Sequence, residues 1–162
     1  MPTPLSPHFS LEEMLMSQTA TRMGFTEQFN PPQDVIDNLT TLCNKVLEPL
    51  RAAISKKMGK DTPVIVTSGY RCLRTNRAIG GADNSQHTRG QAADTHVPGM
   101  SIEDWYQFIR SSGIAYDQLI QEFGQWAHIS YKADAVERME CLRATTESGH
   151  TVYSMDNEPL MA

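Results

Sequence analysis

Nowhere is the chain apolar for long enough to cross a bilayer, which takes about 20 consecutive apolar residues, so no membrane span is expected. Cysteine is scarce. Cys43, Cys72 and Cys141 form an odd set with no Cys-x-x-Cys pair, which argues against a disulfide framework and against a zinc ribbon. Cys43 falls on an apolar helical face and reads as a small core residue. Cys72 has no histidine beside it in the sequence to activate it and reads as packing. Positive charge is also in short supply: 14 Lys and Arg stand against 19 Asp and Glu, a net charge of -5. A nucleic-acid binder would normally show a basic face, so no nucleic-acid partner is expected. The start, Met1-Pro2-Thr3-Pro4-Leu5-Ser6-Pro7, offers no basic segment followed by an apolar stretch. No secretory signal is read there, and synthesis in the cytoplasm is the expectation. Internal repeats are absent too.

What remains is a globular composition of 162 residues, 40% hydrophobic and 20% charged, sufficient for one domain with its own core. A proline-rich start is expected to lie extended on the surface. Ser10 and Glu13 have the spacing of a capping box, so a short helix begins there. Residues 19–32, with Gly24 and Pro31-Pro32, read as a loop. The strongest helix is predicted from about Pro32 to Lys57, where Val35, Ile36, Leu39, Leu42, Cys43, Val46, Leu47, Leu50 and Ile54 make one apolar stripe. Pro49 should kink or split it. Pro63–Ser68 reads as a buried strand, Leu73–Ile79 as a short helix and Gln91–Val97 as a strand. A capped helix then runs from Ser101 to Ile109, followed by strands Gln118–Phe123 and Trp126–Tyr131 around Gly124-Gln125. Ala133–Arg143 is read as helical, with a small hairpin turning at Ser148-Gly149. Helices before and between strands, without regular βαβ alternation, predict an α+β fold on an antiparallel sheet.

The chemistry gathers in two stretches. Ser85-Gln86-His87-Thr88-Arg89-Gly90-Gln91-Ala92-Ala93-Asp94 holds an imidazole and a carboxylate seven residues apart, and His128 follows downstream. A catalytic zinc takes three protein ligands and keeps one position open. Strand alternation puts Asp94 and His128 on cleft-facing positions if their strands are neighbours, with the preceding loop carrying His87 over them. Glu122 is the nearest carboxylate available to move a proton. His96 shares a face with Asp94 and is read as incidental, while His8 and His150 lie in weakly patterned ends.

These residues also match a known pattern. Ser-x-His-x-x-Gly-x-Ala-x-Asp, followed by a tryptophan-flanked histidine, resembles the zinc D-Ala-D-Ala metallopeptidases. These are peptidoglycan carboxypeptidases and endopeptidases whose fold is shared with the hedgehog signalling domain. Phe9-Ser10-Leu11-Glu12-Glu13, Val46-Leu47-Glu48-Pro49-Leu50-Arg51, Val66-Thr67-Ser68-Gly69-Tyr70-Arg71 and Asn76-Arg77-Ala78-Ile79-Gly80-Gly81 extend the resemblance over about Phe9 to Lys132, closest to the small phage-like branch.

The resemblance implies one zinc ion on His87, Asp94 and His128, with Arg71 binding the substrate carboxylate or polarising its carbonyl. It further implies that Ser85 and Gln86 support the His87 loop and that Trp126 walls the cleft. Many relatives carry the catalytic acid three residues before the last histidine. Here that position is Gln125, which cannot act as a base, and Glu122, six residues before, takes the role. On this reading residues 1–132 are a zinc metallopeptidase domain, and residues 133–162 extend it without an assigned function. The expected substrate is a peptidoglycan stem peptide, cut as a carboxypeptidase or as an endolysin-type endopeptidase. The expected setting is a monomer acting at the bacterial cell wall, as a phage lysis or virion protein. The competing expectation is a non-catalytic, zinc-stabilised module that binds a wall peptide or a protein.

Overall fold

The computed structural model describes residues 2–160. The proline-rich start is not merely extended: β1 (Pro4–Ser6) pairs antiparallel with β2 (Phe9–Ser10). Helix α1 (Leu11–Leu15) follows, with the Ser10–Glu13 capping box formed in both directions. Residues 19–32 are not a plain loop. They hold α2 (Gln18–Met23), capped by Ser17 and closed by Gly24 at φ 71, and a 3-10 turn over Thr26–Phe29. Six-residue helices carry too little periodicity to stand out in a sequence, and this one is held by its caps.

The long stripe becomes α3 (Gln33–Leu42), a π-helical turn over Cys43–Leu47, and α4 (Glu48–Met58). The wide turn arrives just ahead of Pro49, whose ring and missing N–H an unbroken α-ladder would not accommodate. Eight of the nine stripe residues are buried on both sides of it, and Ile36 is half-buried. The proline therefore changes the helix's winding and leaves its apolar face continuous.

The strands β3 (Ile65–Ser68), β4 (Ala92–His96), β5 (Gln118–Glu122), β6 (Trp126–Ser130), β7 (Glu140–Glu147) and β8 (His150–Met155) form one sheet in the order β3-β4-β6-β5-β7-β8. Helices α5 (Leu73–Ala78) and α6 (Ile102–Ser111) lie in the connections. The architecture is α+β with a mainly antiparallel sheet. One pair departs from this, since β5 and β7 run parallel. Strand β3, expected to be buried, lies at the sheet edge with Ile65 and Thr67 exposed. Residues 140–143 belong to β7 and not to a helix, and the hairpin at Ser148-Gly149 joins β7 to β8.

The sheet divides the molecule by face. Ala93, Leu119, Ala127 and Ile129 point toward the helices and join Leu39, Leu47, Trp105 and Ile109 in the main core. Trp105 is fully buried; its indole N–H donates to Thr95 Oγ1 (3.0 Å), which donates to the Ala127 carbonyl (2.9 Å). This chain of bonds ties α6 to the two central strands. The alternate residues, Asp94, His128, Ile120 and Glu122, are left on the opposite face. Among the described residues no helix is long and apolar enough to cross a membrane.

Candidate metal centre and cleft

Asp94 on β4 pairs directly with His128 on β6, so the two side chains rise side by side from neighbouring strands. His87 comes from a 3-10 turn, Gln86–Arg89, that ends at Gly90 in the left-handed region, φ 72. A side chain at position 90 would place its Cβ 2.7 Å from the Val35 carbonyl oxygen. Glycine is therefore needed there both for the backbone turn and for the approach to α3. Ser85 Oγ accepts from the His87 N–H (3.2 Å) and caps the turn.

The ligand atoms close into a triangle. His87 Nε2 lies 3.2 Å from Asp94 Oδ1, His128 Nδ1 lies 3.2 Å from Asp94 Oδ1, and the two imidazole nitrogens are 3.2 Å apart. All three residues are buried. A tetrahedral ion bound at about 2.0 Å needs its ligand atoms about 3.3 Å apart, so the triangle is the right size for zinc. Protonation points the same way. His87 Nδ1 donates to the Gly69 carbonyl at 2.7 Å, which leaves Nε2 as the free lone pair. That lone pair faces a carboxylate oxygen and a second imidazole nitrogen, an arrangement that a cation relieves.

Asp94 keeps its other oxygen for Arg71, whose Nη2 donates to Oδ2 at 3.1 Å. Arg71 also donates from Nε to Ser68 Oγ (3.0 Å) and from Nη1 to Asn76 Oδ1 (3.3 Å). Its guanidinium lines the cleft but is locked to the ligand set. Its segment is pinned by Gln28, which the sequence placed in a loop. Gln28 is fully buried; it donates to the carbonyls of Leu15 and Tyr70 and accepts from the Cys72 N–H.

Glu122 Oε1 lies 3.6 Å from His128 Nδ1. Burial raises its carboxyl, the negative charge of Asp94 adds to this, and His128 and Arg71 oppose it. It ends β5 at a tight connection whose first residue, Phe123, sits at φ 59. Phe123 packs onto the small cluster of Ile120, Leu142 and Ala144, which holds this unusual backbone in place. Trp126, expected to wall the cleft, is set back: it stacks edge-on with Phe123 (5.9 Å) and does not line the cavity.

A cavity of about 590 Å³ opens over the centre, with Arg71, Ser85, Gln86, His87, Glu122 and His128 in its wall. Lys132, Arg138, Glu140, Leu142 and Tyr153 close its other side. Four of these five lie in the stretch to which sequence reasoning gave no role. Asp117, also missed, organises that side. Its buried carboxylate accepts from Arg138 Nε (2.9 Å) and Nη2 (2.7 Å), and from Gln86 Nε2 (3.0 Å). It thereby joins the His87 turn to residues 132–140. No spacing in the sequence announces this, because the three partners lie on separate segments.

The Arg138 guanidinium holds the Asp117 carboxyl down to about 2, against the upward push of burial. A carboxyl lowered on folding contributes stability that is complete above its unfolded value near 4 and is lost as pH falls from about 4 to 2. Denaturation curves collected between pH 5 and 2 should therefore show Asp117→Asn less stable than the parent at pH 5 and less sensitive to acid below pH 4. Parallel losses in the two proteins would remove Asp117 as a source of the acid response.

Residues 7–130 match the family model described as Peptidase M15. The chain is also 36% identical, over 67 residues, to the peptidoglycan L,D-endopeptidase MepK of Escherichia coli (strain K12) and to the protein of the same name from Shigella flexneri. Each of these matches covers 36% of this chain and 37% of the relative. The chain thus spans little more than a third of the length of the curated relatives it matches.

Proposed function

Because the chain belongs to the peptidase M15 family, we propose that it is a zinc-dependent hydrolase of peptide bonds in the D-Ala-containing stem peptides of peptidoglycan. The observation that carries this reading is the triangle of His87, Asp94 and His128, 3.2 Å on each side, with the Glu122 carboxylate beside it in an open cleft. Zinc on these three residues would lower the pKa of a water molecule and polarise the scissile carbonyl. Glu122 takes a proton from the attacking water and passes it to the leaving amine nitrogen as the C–N bond breaks. Its raised carboxyl suits a group that must both accept and release that proton. Arg71 holds Asp94 in place and offers its remaining N–H groups to the substrate.

Similarity to peptidoglycan endopeptidases favours cutting within a wall peptide over removal of a terminal residue. The reading treats residues 1–132 as the metallopeptidase domain, of the type shared with hedgehog signalling domains, and residues 133–162 as part of the same unit. Action at the bacterial cell wall by a monomer, in a phage lysis or virion setting, completes it.

Mass spectrometry of products released from purified peptidoglycan, with zinc and with a chelator, tests the proposal. Chelator-sensitive release of D-Ala or of cut cross-bridges is expected, and the products name the bond. A protein that holds zinc and releases nothing would leave the binding-module reading in its place.

A further inference from the structure

Strands β7 and β8 lie beyond residue 130, where the family match stops, yet they reach the cleft. Cross-strand register puts Trp126, Glu122, Ala144 and Tyr153 in one row across four neighbouring strands. Residues paired in this way share a face of the sheet. Tyr153 therefore stands on the face that carries Glu122 and His128, two interstrand spacings of about 4.8 Å from Glu122. The residue between them is Ala144, 1% exposed, which is covered and contributes nothing to the cavity wall.

Tyr153 lines the cavity together with Arg71, Glu122 and His128. The hydroxyl of Tyr106 is committed to Asp156 at 2.7 Å, and that of Tyr116 to Cys141 at 3.0 Å. The Tyr153 hydroxyl bonds to no protein group among the described residues; the residue is 56% exposed and lines the cavity. Burial and the negative charges of Glu122 and Asp94 push its phenol upward, so the group keeps its proton and remains a donor at neutral pH. On the opposite wall, Arg71 has three of its five N–H groups occupied by Ser68, Asn76 and Asp94. The C-terminal hairpin thus presents an uncommitted neutral donor to the cleft that holds Glu122 and His128.

We propose that the Tyr153 hydroxyl donates a hydrogen bond to the carbonyl oxygen of the scissile peptide as that oxygen gains negative charge, which makes Tyr153 a catalytic residue supplied by the C-terminal hairpin. The proton stays on the phenol, and no bond to Tyr153 forms or breaks. A donor aimed at charge that develops only in the transition state raises kcat and leaves ground-state binding almost untouched. The inference rests on reading the cleft as a peptidase site.

Tyr153→Phe keeps the ring and removes only the hydroxyl. In the zinc-loaded full chain it should lower kcat by about 100-fold and change KM by less than about threefold, with zinc stoichiometry and melting temperature unchanged. A second readout needs no turnover: a phosphinate peptide analogue, tetrahedral and anionic at the reacting centre, should bind the variant about 100-fold more weakly than the parent. The planar parent peptide, bound to Glu122→Gln, should lose no affinity when Tyr153→Phe is added. A kcat within threefold of the parent, or equal phosphinate affinity, overturns the role of Tyr153. A parent that binds the phosphinate but cuts no wall peptide removes the peptidase reading, and the phosphinate comparison still decides Tyr153. A parent that neither cuts nor binds removes both.

Discussion

Glu122→Gln is expected to lose turnover by about 10²- to 10⁴-fold while keeping its fold and its metal. The exchange preserves the size and shape of the side chain but takes away the oxygen that accepts a proton. Burial and the Asp94 charge oppose the ionised form more than His128, Arg71 and the Trp126 indole favour it. Glu122 lies beyond direct hydrogen-bond distance of His128, at 3.6 Å, and its burial opposes the ionised form. An amide there also relieves the repulsion between Glu122 and Asp94, so the folded state should be no less stable. Metal content by elemental analysis, melting temperature and peptide-release rate together read the result. A variant that hydrolyses peptidoglycan at the parent's rate would end the assignment of Glu122 as the base and send the search back to the rest of the cleft wall.

His87→Ala is expected to abolish stable metal binding and, with it, a measurable share of stability. On the proposed reading three residues would hold the ion, and two would leave it without a closed tetrahedral face. Added zinc at 100 times its dissociation constant should stabilise the parent by about 2.7 kcal/mol. For a chain of this size that corresponds to about 5–11 °C in melting temperature. A chelator should therefore lower the melting temperature of the parent by about that amount and leave His87→Ala unmoved. The substitution also removes the imidazole donor to the Gly69 carbonyl, so the variant should melt below the chelated parent as well. An unchanged zinc-induced shift in His87→Ala would show that the ion sits elsewhere.

How much of this was legible before folding varies from residue to residue. The juxtaposition of Asp94 and His128 was readable because strand alternation is a strict period of two: once β4 and β6 are neighbours, the two must share a face. The long stripe from Val35 to Ile54 was readable because helical periodicity accumulates over several turns. Gln28 was not, since a polar residue in a short 3-10 turn has no pattern, and its burial follows from the backbone groups of Leu15, Tyr70 and Cys72 that it satisfies. Residues 140–143 were misread as helical because a short mixed run fits both periods. Their strand state comes from the free edge of β5, to which β7 bonds in parallel register.

The sequence by itself therefore determined the α+β class, the main apolar stripe and the three atoms most suited to a metal. These rest on near-neighbour rules, in which spacing along the chain sets which side chains share a face. Only the tertiary structure decided that the C-terminal hairpin closes the cleft, that Asp117 ties the His87 turn to Arg138 and Gln86, and that Arg71 is bound to Asp94. Each of those joins segments far apart in the chain, and local spacing carries no information about a contact whose geometry is set by where the strands pair.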